Sequence, residues 1–133
     1  MPLFLLTAGS GWIAALLLGA NVSAAYFIRS TQGGPAAYFS RFRVHYALGL
    51  LIPAVTIFHA WLPMSAGRMR GFGSTGLLLA TAALFIMFWQ VALGISLRDA
   101  QGAVRSHLRR LHFATMALIV SLVAMHILLN GGA

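Results

Sequence analysis

Four long apolar runs, separated by short polar and arginine-bearing stretches, organise this sequence. The first extends over residues 2–27 and stops at Arg29; the second covers 44–63 and is closed by Arg68 and Arg70. The third covers 72–97 and ends at Arg98 and Asp99, and the fourth, 111–129, fades into Asn130, Gly131 and Gly132. A helix needs about 20 apolar residues to cross a hydrocarbon core, and each run is about that long or longer. The connections are short, about fifteen residues at most, so consecutive helices are expected to pack as neighbours. The pattern predicts an all-α fold: an integral membrane four-helix antiparallel bundle, with residues 1–133 forming one transmembrane domain. The first run lacks a positively charged leading segment and is too long for a signal peptide, so it is expected to be a retained helix.

Composition sharpens this picture. Only 8% of residues are charged, against about 25% in an ordinary soluble domain. Asp99 is the sole carboxylate side chain, so no pair exists for acid–base or glycosidase chemistry. The absence of cysteine excludes a disulfide, a thiolate zinc site, an iron–sulfur cluster and thioether-linked haem. All nine cationic residues are arginines, and the formal net charge is +8. A nucleic-acid binder spreads such charge over a wet face; here the arginines sit between apolar runs, so no nucleic-acid partner is expected.

The arginines also predict orientation. Arg29, Arg41, Arg43, Arg98, Arg105, Arg109 and Arg110 fall in the first and third connections, against Arg68 and Arg70 in the second. By the excess of positive charge on the cytoplasmic side, the Arg-rich loops are expected in the cytoplasm and both termini outside. The expected location is the bacterial inner membrane.

Candidate chemistry lies in the histidines. His45 and His59 are fourteen residues apart in the second run, and His112 and His126 are fourteen apart in the fourth. Fourteen residues make nearly four helical turns, so both members of a pair share a face, roughly 21 Å apart along the axis. The second and fourth helices cross in the same direction, which puts His45 at the depth of His112 and His59 at the depth of His126. Ionisable residues inside a membrane are costly and mark function. Two facing imidazoles can grip one object from both sides, and a haem is the cofactor that suits them. A plainer role, a hydrogen bond from each histidine to a neighbouring helix, fits one histidine better than four in register.

The stretches Arg43-Val-His45-Tyr-Ala-Leu-Gly49, Arg109-Arg-Leu-His112-Phe and Ala124-Met-His126 carry a resemblance. Histidine pairs about fourteen residues apart on two parallel helices of a four-helix bundle resemble the di-haem membrane cytochromes b, namely the cytochrome b core of quinol:cytochrome c oxidoreductases and the transmembrane domain of ferric-reductase-like proteins. The resemblance implies two haems b, with His45 and His112 the axial pair of one iron and His59 and His126 the pair of the other. In that cytochrome b core, glycines at a similar spacing on the other two helices make room for haem; the nearest equivalents here are Gly9 with Ser23 and Ala80 with Gly94.

Arg41, Arg43, Arg109 and Arg110 lie within four residues of His45 or His112. They are candidates for bidentate pairing with the propionates of the cytoplasmic haem; their alternative role is topological. Arg68 and Arg70 are the candidates on the other face. Gly49, one turn after His45, offers a porphyrin close approach to the backbone, although glycine also serves helix packing. Pro53 is expected to kink the second helix by freeing the Gly49 carbonyl. Phe58 and Phe113 adjoin histidines and are candidate pocket walls or plain lipid-facing aromatics. His107 is expected as a surface histidine, its sharper role being proton handling or quinone contact. Gln90 and Trp89 are candidates for a quinone ring, with an interhelical hydrogen bond and an interfacial anchor as the plainer roles.

With two histidines on each iron there is no open coordination position, so the expected function is one-electron transfer across the bilayer. The chain reads as a cytochrome b subunit of an oxidoreductase complex rather than a complete enzyme. Expected partners are membrane lipid, other subunits, and electron donors and acceptors that are proteins or a quinone. The alternatives are a quinone-reactive membrane subunit and a haem-free metal, pigment or proton-handling membrane protein.

Overall fold

The computed structural model describes residues 3–30, 35–65 and 75–130. These residues form four helices: α1 (Leu3–Ser30), α2 (Pro35–Ser65), α3 (Thr75–Asp99) and α4 (Gly102–Asn130). No strand occurs among the described residues, so the fold is all-α as expected. Each helix has a stretch long and apolar enough to cross a membrane, lying within Leu5–Ile28, Phe42–Ser65, Thr75–Asp99 and Gly102–Leu129. The shortest of these stretches are 24 residues long, about 36 Å at 1.5 Å per residue, and exceed the roughly 30 Å hydrocarbon thickness. The chain is an integral membrane protein. Large apolar side chains such as Leu16, Phe85 and Leu128 are mostly exposed on the helices, as contact with lipid requires.

The helices make two compact units, one containing α1 and α2 and the other α3 and α4. Within each unit the helices are antiparallel. Thr7 meets His59 near one end of the α1–α2 hairpin, and Asn21 meets His45 fourteen residues further along. In the α3–α4 hairpin, Gly76 meets His126 and Gln90 meets His112. Ile52, Leu62 and Leu18 are buried in the first unit, as are Ala83, Met87, Leu93 and Ile119 in the second.

Two helices begin well before their apolar runs. α2 starts at Pro35 rather than near residue 44, and α4 at Gly102 rather than near residue 111. Hydropathy marks the part of a helix that lies in hydrocarbon, whereas arginine is itself a good helix former and lets the coil continue beyond it. Proline at a first helical position forfeits only an N–H that would lack an intrahelical acceptor. As a result Arg43 lies on α2, and Arg105, His107, Arg109 and Arg110 lie on the first turns of α4, instead of in loops. The link from α3 to α4 is only Ala100 and Gln101. It is closed by Ala100 N–H donating to the Ser96 carbonyl (3.2 Å) and Arg105 N–H to the Gln101 carbonyl (3.2 Å). Gly102 adopts φ +54° at this reversal, a conformation that strains any residue with a Cβ.

α2 continues as one helix through Pro53 and Pro63. Each proline removes one ladder donor, the N–H that would otherwise bond the carbonyl four residues earlier, at Gly49 and His59. Hydroxyls on the helices return their hydrogen to the backbone: Thr56 to Ile52 (2.9 Å), Thr81 to Leu77 (2.9 Å) and Ser121 to Ala117 (3.0 Å). That arrangement satisfies the polar group without water.

Candidate functional site

Each hairpin carries one member of each expected histidine pair. His59 has the most developed surroundings. Its Nδ1–H donates to the Thr7 carbonyl at 2.9 Å. Ser10 Oγ lies 3.2 Å from the same nitrogen and donates its own hydrogen to the Thr7 carbonyl at 2.9 Å. Gly11 completes the notch: a Cβ there would stand 2.9 Å from His59 Cε1, inside any normal contact distance. Thr7, Ser10 and Gly11 are one helical turn of α1, so the notch follows from a small, polar turn facing α2 at this level.

His126 and His45 follow the same plan with different partners, and His112 departs from it. His126 Nδ1–H donates to the Gly76 carbonyl of α3 at 2.9 Å. His45 Nδ1 faces the Asn21 carbonyl of α1 over a longer 3.4 Å. His45 also packs edge-on against Phe42, with ring centroids 5.7 Å apart. At His112 the main chain is what is gripped: Gln90 Nε2 donates to the His112 carbonyl at 2.9 Å. Thr115 hydrogen-bonds the Gln90 side-chain oxygen in turn. Gly94 leaves room for the His112 ring, its hypothetical Cβ lying 3.6 Å from Cε1.

A carbonyl can only accept, so in His59, His126 and His45 the facing Nδ1 carries the hydrogen and the lone pair lies on Nε2. Fixing the second ring nitrogen in this way orients an imidazole and sets its tautomer. The plainer role of a membrane histidine, bonding to a neighbouring helix, is thus present as well. A neutral Nε2 donor and an Nδ1–carbonyl bond are compatible within one ring.

The remaining sequence candidates find definite places. Gly49 lies against α1, where a Cβ would meet Asn21 Nδ2 at an ordinary 3.8 Å. Arg43, Arg109 and Arg110 are exposed. Arg41 lies on α2, with its side chain outside the described set, and Arg68 and Arg70 lie outside the described residues. His107 is exposed on α4, in keeping with a surface histidine. Gln90 makes the interhelical hydrogen bond, and Trp89 is exposed beside it. Phe58 and Phe113 are each about half exposed; Phe58 stacks on Trp61. Asp99 is bidentate with its neighbour Arg98, at 2.9 and 3.0 Å. Among the described residues no three histidine, cysteine or acidic side chains converge on one point.

The residues that sequence reasoning missed are those receiving the rings: Thr7, Ser10 and Gly11, Asn21, and Gly76. Gly94 on α3 and Gly11 on α1 lie at histidine rings, whereas a Cβ on Gly9 would meet nothing within 4 Å. Comparison with protein-family models, curated proteins and solved structures gave no match.

Proposed function

We propose that the chain is a membrane cytochrome b subunit that moves electrons across the bilayer through two bis-histidine haems b, within a larger redox complex. In this reading His45 and His112 serve one iron, and His59 and His126 the other. The observation that carries the reading is the anchoring of imidazoles at Nδ1 by main-chain carbonyls of the neighbouring helix, at both ends of a fourteen-residue repeat. Such a donor set fits haem iron, which takes neutral imidazole through Nε2. Bound haem supplies a one-electron centre and, with both axial positions filled, no position for substrate.

The protein's own contribution is ligation and electrostatics. The notch on α1 and the Gly76 carbonyl hold His59 and His126 in one tautomer. Arg43, Arg109 and Arg110, with Arg41, provide guanidinium groups near His45 and His112 for carboxylates of a haem edge. These arginine-bearing helix ends are assigned to the cytoplasmic side of a bacterial inner membrane, with both termini outside.

The test is haem content in variants. His59→Ala is expected to retain one haem of two, and His107→Ala to retain both, by pyridine haemochrome count against protein concentration. Unchanged haem content in His59→Ala would contradict the pairing.

A further inference from the structure

The two hairpins repeat one another at the residues that matter. Arg43-Val-His45-Tyr-Ala47 on α2 corresponds to Arg110-Leu-His112-Phe-Ala114 on α4. Seven residues past the first histidine of each helix comes a buried isoleucine, Ile52 or Ile119, and fourteen past it the second histidine. On the partner helices, Thr7 and Asn21 meet His59 and His45, and Gly76 and Gln90 meet His126 and His112. Asn21 and Gln90 thus hold the same station: a primary amide opposite the first histidine, with buried Leu18 or Met87 one turn before it.

Among the described residues the buried polar side chains are Ser10, Asn21 and Gln90, with 7%, 3% and 7% of their surface exposed. All three lie where a histidine is received. A buried amide or hydroxyl in hydrocarbon is unfavourable unless it is bonded, and general packing gives no reason for all three to collect at histidines. Ser10 bonds the backbone oxygen that receives His59 and touches the ring nitrogen itself. Gln90 bonds the carbonyl of His112 and the hydroxyl of Thr115, one turn on, so it fixes the rotation of α4 at the histidine.

On the haem reading above, we propose that Ser10 and Gln90 are positioning residues, Ser10 for His59 and Gln90 for His112, each acting on one haem centre only. Neither touches the iron; each acts through the histidine it holds.

The experiment is a redox titration of the full-length haem-loaded protein and of Ser10→Ala and Gln90→Leu, with haem retention followed in parallel. His59→Ala and His112→Ala first identify the optical band of each centre. Ser10→Ala is expected to shift the midpoint potential of the centre that His59→Ala abolishes and leave the other unmoved. Gln90→Leu is expected to do the reverse. Haem affinity at the affected centre should fall about ten- to a hundredfold, the usual effect of removing a group that orients a metal ligand. Ser10→Thr and Gln90→Asn, which keep the hydroxyl and the primary amide that donates to the His112 carbonyl, are expected to restore both readouts. Equal shifts at both centres, no shift in either variant, or failure of the conservative variants would overturn the proposal. A wild-type protein that takes up no haem would instead overturn the haem reading itself, so the two failures are told apart by the first spectrum.

Discussion

An imidazole in hydrocarbon must have its N–H satisfied, because no water is present to do so. In His59, His126 and His45 a backbone carbonyl of the adjacent helix does this at Nδ1, and the choice of nitrogen gives the ring its chemistry by leaving the lone pair on Nε2. Gly11 is the residue with least latitude in this arrangement, since its missing Cβ is the space that His59 Cε1 occupies. Gly11→Leu is therefore expected to displace the His59 ring and abolish one haem while sparing the other, measured by haem count and by the number of low-spin signals in electron paramagnetic resonance. Full retention of both haems in that variant would show that the notch has no such role. The histidines themselves are legible in the sequence because fourteen-residue spacing is visible without a structure. Their receivers are not. Every residue has a carbonyl, so nothing in the residue type of Thr7 or Gly76 advertises it as an acceptor. Ser10 and Gly11 gain meaning only once the register of α1 on α2 is known.

A helix in a membrane gains little from hydrophobic burial against its neighbour, so polar links and tight turns carry more of the pairing. In the α3–α4 hairpin these are the Gln90–His112–Thr115 cluster and the reversal at Gly102. Gly102→Ala is expected to destabilise this hairpin by about 1 kcal/mol, the strain of a Cβ at positive φ, read as a lowered midpoint of denaturant unfolding in detergent. A double-mutant cycle with Gln90→Leu and Thr115→Val should be non-additive, with a coupling of about 0.5–1.5 kcal/mol for bonded neighbours. Additive losses would mean that the two side chains act separately. The four helices are evident from the apolar runs alone, since a soluble fold rarely places four stretches of about 20 apolar residues in so short a chain. Where α2 and α4 begin is not, because hydropathy ends at the membrane surface while the helices carry on through Arg43 and Arg105. The interhelical hydrogen bond of Gln90 is legible, because a lone amide among apolar neighbours has few partners to choose from.

For the whole molecule, the proposed orientation rests on the distribution of arginine and the proposed function on the histidine repeat. Seven arginines lie at or near the α1–α2 and α3–α4 connections and two between α2 and α3, and the proposed topology puts the Ala100–Gln101 reversal in the cytoplasm. The natural absence of cysteine makes this easy to check. A single cysteine in place of Gln101 should react with a membrane-impermeant thiol reagent only in inside-out vesicles, and one in place of Gly132 only in right-side-out vesicles or cells. The reverse pattern would invert the proposed topology. The central claim, that four histidines in register hold two haems, is tested most directly by the reduced-minus-oxidised visible spectrum of purified protein expressed with ample haem, quantified by pyridine haemochrome. The account predicts low-spin b-type bands and two haems per chain; a protein free of haem under those conditions would contradict it.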